Sequence, residues 1–167
     1  SGNGRATAET MLHAAAGNGQ LEMVRMLLKR GASVDLPSGV GLTALIEAAI
    51  HGHSSILLLL LQHSANPDLQ TNEEGITALI SAAEQGHEAC VQALLRAKAN
   101  TELVTKNGHT ALHHAEKQGH TAIAKLIRQH TAPPQSAAAV EAMQAEQAAE
   151  AARADAAMEE LLAEEEA

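Results

Sequence analysis

Two stretches of the chain decide its fold: Thr43 to His53 reads TALIEAAIHGH, and Thr77 to His87 reads TALISAAEQGH. The same pattern returns in weaker form from Thr110 to His120, TALHHAEKQGH, and from Thr10 to Gln20, TMLHAAAGNGQ. The four opening threonines are spaced by 33, 34 and 33 residues, and a glycine stands nine residues after each of them. A fixed period of this length predicts an array of small units that stack on one another.

Each unit is predicted to hold two helices and a turn. The threonine can cap the N-terminus of a first helix, and the glycine can adopt the positive φ that ends it. An apolar stretch such as Ile56 to Leu61 then has the spacing of a core-facing second helix. We expect the residues that recur at the same two places in every unit to be interior: Leu12, Leu45, Leu79 and Leu112, and Leu27, Leu60, Leu94 and Ile127.

This pattern resembles the ankyrin repeat, whose consensus reads roughly G-x-T-P-L-H-x-A-A-x-x-G-H, followed by a second helix with Leu-Leu and a G-A-x-x-N turn. Four copies cover about residues 6–131. The resemblance implies an all-α solenoid of helix-turn-helix units, joined by β-hairpin-like turns. About three or more such units are needed before the contacts between neighbours outweigh chain entropy, so four should suffice.

Departures from the family pattern carry their own expectations. Repeat 1 has Ala8 where later repeats have a turn glycine, which suggests a degenerate N-terminal cap. The segment from residue 71 to residue 75 holds one extra residue and should enlarge its hairpin tip without disturbing the stack. Repeat 4 is the expected C-terminal cap, because Lys125, Arg128 and Gln129 replace the apolar residues that would pack on a next repeat.

The two ends of the chain are expected to lie outside the array. Residues 1–5 are interpreted as a tag remnant or a flexible N-terminus, and residues 132–135 as a proline linker. Residues 136–167 are rich in Ala and Glu and predict a long acidic C-terminal α-helix, with nine acidic residues against one arginine. Two roles of this helix stay open. It is either a solvated helix or spacer, or it self-associates through Met158, Leu161 and Leu162.

Composition excludes several classes of function. The chain has no Phe, Trp or Tyr, so it lacks the large aromatic rings on which bases stack, and its net charge of −9 opposes binding to nucleic acid. No apolar run reaches the length of a membrane span. The single cysteine, Cys90, is interpreted as a small buried hydrophobe and fits a reducing compartment, so we expect an intracellular, cytoplasmic protein.

No catalytic, cofactor or metal site is expected. His109, His113, His114 and His120 form the one cluster that suggests a metal, but the sequence offers neither a cysteine pair nor an H-E-x-x-H motif. By the resemblance, His113 is expected to bond in a turn, and His53, His87 and His120 are the family's Gly-His histidines. The sequence therefore predicts a protein that is not an enzyme.

The resemblance implies a module that binds a protein or peptide on a concave face, made by the hairpin tips and the exposed side of the first helices. The residues expected there are Val40, Leu42, Ile50, His51, Glu73, Glu74, Ile76, Glu84, Gln85, Lys106, Asn107, His109, Lys117 and Gln118. Four of them are aliphatic, and either an apolar binding patch or packing between adjacent tips explains these. The alternative function is a structural spacer or assembly element, with the C-terminal helix mediating association.

Overall fold

The computed structural model describes residues 3–131 and 144–156, with side chains in the first range from residue 8 onward. The predicted linker, most of the predicted C-terminal helix and the three residues suggested for self-association lie outside the described residues. The described part is helical, with no strand. The all-α prediction is therefore confirmed.

Eight helices form four pairs between Asn3 and His130. The pairs are α1 (Asn3–Gly17) with α2 (Leu21–Lys29), α3 (Ala44–His51) with α4 (Ser54–Gln62), α5 (Ala78–Gln85) with α6 (Glu88–Arg96), and α7 (Ala111–Lys117) with α8 (Thr121–His130). We call these pairs repeats 1 to 4. Residues 144–156 form a further helix, α9, in a second compact unit.

The repeats stack in two rows. Helices α1, α3, α5 and α7 pack side by side as the first row, while α2, α4, α6 and α8 form the second row. The apolar side chains between the rows form one continuous core along the stack. Each repeat thus buries its apolar surface against its neighbours, as expected of a solenoid.

Threonine caps begin the first-row helices of repeats 2 to 4. The Oγ1 atoms of Thr43, Thr77 and Thr110 accept hydrogen bonds from the N–H three residues later, over 3.2, 3.1 and 3.3 Å. For Thr10 the capping prediction is wrong, because α1 begins at Asn3 and Thr10 lies inside it. Helix α1 therefore occupies the position at which the later repeats have a hairpin.

The predicted interior positions are buried, with one exception. Leu12, Leu45 and Leu79 are each 1% exposed, and all four predicted residues of the second row are buried. Leu112 is only partly buried, so this prediction is wrong. No described repeat follows repeat 4, so the side of Leu112 that a further repeat would cover stays open.

Candidate partner-binding surface

Three hairpin tips project between the repeats, and each closes on itself through hydrogen bonds. In tip 1 (38–42) the N–H of Gly41 donates a hydrogen bond to the carbonyl of Ser38. In tip 3 (105–109) the N–H of Gly108 donates to the carbonyl of Thr105. In tip 2 (71–76) the corresponding bond runs from Gly75 to Thr71, one residue farther apart. The extra residue thus enlarges the tip, as predicted, and the repeats on either side still stack.

Neighbouring tips are also bonded to each other. The N–H of Asn72 donates to the carbonyl of Val40 over 3.2 Å, and the N–H of Lys106 donates to that of Glu74 over 3.0 Å. The side chain of Gln70 donates to the carbonyls of Gly75 and Val104, at 2.8 and 3.0 Å. These bonds join the tips into one ridge whose shape is set before any partner arrives.

Together with the exposed residues of α3, α5 and α7, this ridge forms a surface that we call the hairpin face. Eight of the predicted binding residues are exposed on it in addition to Val40: His51, Glu73, Glu74, Gln85, Lys106, Asn107, Lys117 and Gln118. Glu84 and His109 are partly buried.

The four predicted aliphatic residues of this face differ in their exposure. Val40 is 55% exposed, but Leu42, Ile50 and Ile76 are partly buried and pack against the core. Packing between adjacent elements therefore accounts for three of the four. Val40 is the apolar side chain of this set that stands open to a partner.

Acidic and basic groups alternate along the hairpin face. Lys106 Nζ lies 2.8 Å from Glu74 Oε1 between tips 2 and 3, where both side chains are about half exposed. On the first row, His51 Nε2 lies 3.8 Å from Glu47 Oε2, so Glu47 has the polar neighbour that a partly buried carboxylate requires. His114 Nδ1 lies at the same distance from Glu84 Oε1.

Three histidines gather at the repeat 4 end of this face. The ring of His109 stacks on that of His113, with centroids 4.1 Å apart, and His114 meets both rings edge-on. Loss of hydration lowers the pKa of His109, and the neighbouring His113, His114 and Lys117 lower it further. Among the described residues no group of histidine, cysteine and carboxylate side chains has the geometry of a metal site.

The Gly-His histidines connect neighbouring repeats at the C-terminal ends of the first-row helices. Nε2 of His53, His87 and His120 lies 3.1, 3.0 and 3.2 Å from the carbonyl oxygens of Gly17, Ile50 and Glu84 in the preceding repeat. A carbonyl only accepts, so Nε2 must carry the proton. These three histidines therefore have a structural role between neighbouring repeats.

A family model described as ankyrin repeats (3 copies) matches residues 2–71 and 60–137. The chain belongs to the ankyrin-repeat family. Ankyrin repeats are generally protein-interaction modules, and the fold is typically non-enzymatic.

Several known proteins are similar in sequence to part of the array. Over 55 residues the chain is 42% identical to the probable E3 ubiquitin-protein ligase XBOS33 of Oryza sativa, covering 33% of this chain and 11% of the relative. Over 65 residues it is 40% identical to the putative ankyrin repeat protein FPV014 of fowlpox virus, covering 39% and 15%. The Notch-regulated ankyrin repeat-containing protein A of Danio rerio is 42% identical over 53 residues, covering 32% and 47%. The matches thus span less than half of each relative.

Among the described residues, no helix is both long and apolar enough to cross a membrane.

Sequence reasoning did not anticipate the bonds made by Gln70 and Asn72 between tips. Their polar side chains next to the hairpins were the available signal, but the partners are backbone carbonyls, which leave no mark in the sequence.

Proposed function

We propose that the ankyrin array binds a protein or peptide partner on the hairpin face. The observation that carries this proposal is the ridge of bonded tips, which presents exposed side chains on a backbone already fixed by hydrogen bonds. A surface ordered in advance loses little conformational entropy on binding, so its contacts convert more fully into affinity. The array itself needs no catalytic residue for this role.

Val40 is the proposed apolar anchor, and the charged residues around it are proposed to set the rate and selectivity of association. Anchors in the middle of an interface usually contribute most of the affinity, whereas charges at the rim act chiefly on the association rate and are screened by salt. Glu73 and Glu74 on tip 2 present acidic groups to a partner, whereas Lys106 on tip 3 and Lys117 on α7 present basic ones. A partner with basic groups opposite tip 2 and acidic groups opposite tip 3 and α7 fits this order.

The test is affinity purification from cells with four baits: the wild type, Val40→Asp, Leu58→Asp, and Val40→Asp combined with Lys117→Glu. Val40→Asp places a charge on the hairpin face, whereas Leu58→Asp places one on α4, at a residue that is likewise exposed, 46% against 55%. A partner retained by the wild type and by Leu58→Asp but lost with Val40→Asp supports the proposal. If Val40→Asp together with Lys117→Glu leaves every retained protein bound, the array is a spacer instead.

A further inference from the structure

The basic side chains of the array are distributed unevenly between its two rows of helices. Residues 8–131 contain nine lysines and arginines, and seven of them lie in second-row helices or within two residues of the C-terminal ends of these helices. All seven are exposed: Arg25, Lys29, Arg30, Arg96, Lys98, Lys125 and Arg128. We call the surface that carries them the basic surface.

Few acidic side chains lie near this surface. The second-row helices contain two, Glu22 and Glu88, and both lie in the first turn, whereas most of the basic residues lie at the opposite end. In the turns that follow, Asp35 and Asp68 are partly buried and accept hydrogen bonds from backbone N–H groups of the next repeat. Glu102 is exposed. The basic surface therefore has an excess of positive charge, in a chain whose net charge is −9.

Most of these cations have no ionic partner among the described residues. Arg25 Nε lies 3.7 Å from Glu22 Oε1, and Arg128 pairs with Glu116. No ion pair with another described residue is made by the remaining five: Lys29, Arg30, Arg96, Lys98 and Lys125. Their charges are therefore available to a ligand.

The helix dipole explains only part of this arrangement. It favours cations in the last turn of a helix, where Lys29 and Arg96 lie. Lys98 lies beyond α6 with φ of +60°, at the turn position that Gly31 fills in repeat 1 and Ser64 fills in repeat 2. A residue with a Cβ atom is strained in this left-handed conformation, and glycine is not. Backbone strain of this kind gathers at functional positions, which favours a role for the charge of Lys98 outside the fold.

The basic groups form two clusters with repeat 2 between them. Repeat 1 carries three of the seven and repeats 3 and 4 carry four, whereas the end of α4 has Gln62 and His63. The second-row helices pack side by side, and packed helices lie about 10 Å apart, so the clusters on repeats 1 and 3 are roughly 20 Å apart. About six residues of extended chain span this distance. One linear segment can therefore contact both clusters.

We propose that the basic surface binds a linear acidic segment of a partner protein. Four of the seven residues are arginines, whose planar guanidinium groups suit carboxylates. The net charge of −9 and the lack of Phe, Trp and Tyr disfavour nucleic acid, and a membrane surface usually binds through Trp or Tyr as well as cations. This surface uses none of the residues of the hairpin face, so the proposal does not depend on the function proposed above.

The test measures binding of a decaglutamate peptide, about 33 Å long when extended, to the full chain by calorimetry at an ionic strength of about 0.1 M. Arg96→Glu with Lys98→Glu should weaken binding by about tenfold or more, because two attractive charges become repulsive. Lys106→Glu with Lys117→Glu makes the same change of charge on the hairpin face and should alter the affinity by less than about twofold. If only this second pair weakens binding, the acidic segment belongs to the hairpin face and the basic surface is not its site.

A glycine substitution separates a binding role from a structural one. Lys98→Gly removes the charge and relieves the left-handed backbone, so it should weaken peptide binding by about threefold while the midpoint of urea unfolding stays the same or rises. Ser64→Gly makes the same backbone change without loss of charge and should leave the affinity unchanged. Far-UV circular dichroism confirms that each chain is folded. The proposal is overturned if the wild type does not bind the peptide, if Lys98→Gly binds it as tightly as Ser64→Gly, or if single-stranded DNA or phosphatidylserine vesicles bind more tightly than the peptide.

Discussion

A glycine and a histidine, repeated along the stack, carry part of the contact between neighbouring repeats. Gly52 has φ of +73° at the end of α3, and a Cβ atom placed on it would lie 2.6 Å from the ring of His87. That ring in turn bonds the carbonyl of Ile50. The glycine thus serves two purposes, since it permits the left-handed turn and leaves room for the histidine.

Gly52→Ala should consequently destabilise the array by more than backbone strain alone. A left-handed conformation costs a residue with a Cβ about 1–2 kcal/mol, and displacement of the His87 ring adds the loss of a hydrogen bond, about 0.5–1.5 kcal/mol. Gly31→Ala is the matched control, because Gly31 has φ of +84° and nothing within 4 Å of its Cβ position. Urea unfolding followed by far-UV circular dichroism measures both. Equal losses would mean that the histidine moves aside without cost.

Cys90 provides a second prediction at this scale. Burial raises the pKa of its thiol from 9.0 to about 11. Between these values the unfolded chain releases the proton while the folded chain retains it, so the stability contributed by the neutral thiol falls as pH rises from 9 towards 11. The wild type should lose roughly 1 kcal/mol relative to Cys90→Ala between pH 8 and pH 10, measured by urea unfolding at each pH. A constant difference would contradict this.

Among the helices, equivalent leucines differ in burial according to their neighbours. Leu79 is 1% exposed between two repeats, whereas Leu112 occupies the same position in the last repeat and is partly buried. Leu79→Ala should cost roughly 2–5 kcal/mol, the range for buried leucine truncations, and Leu112→Ala clearly less. Denaturant unfolding monitored by far-UV circular dichroism compares them, because the chain has no aromatic signal. Equal costs would show that the end of the stack is covered.

This difference also marks how far sequence reasoning reaches. The repeat period predicted the helix pairs, the threonine caps of repeats 2 to 4 and the core leucines other than Leu112, because the same residues recur at the same places in each unit. It did not predict the exposure of Leu112 or of Met23, since the same position is buried or open according to whether another repeat lies beside it. The positions of the tips along the chain were predicted, but the hydrogen bonds between neighbouring tips were not, because these bonds join backbone atoms.

At the scale of the molecule, the array is expected to fold without residues 133–167. Residues 1–131 form one compact unit, and the last helix ends within it, where the side chain of Thr131 donates to the carbonyl of Ile127 over 2.8 Å. Glu116 and Arg128 of repeat 4 also form an ion pair with each other. In a stack whose repeats touch only their neighbours, stability is the sum of repeat and interface contributions, and both are complete at this point.

A chain that ends at Ala132 should accordingly unfold at the same urea concentration as the parent, within the error of the measurement. The informative control is a chain that ends at Asn100, which lacks α7 and α8. In the full array Ala83 and Leu95 of repeat 3 are 0% and 5% exposed, and removal of repeat 4 exposes them. This control chain should therefore unfold at a clearly lower urea concentration. If the chain ending at Ala132 loses as much stability as the control, the C-terminal segment contributes to the core of the array, and the boundary between the two units lies farther along the chain.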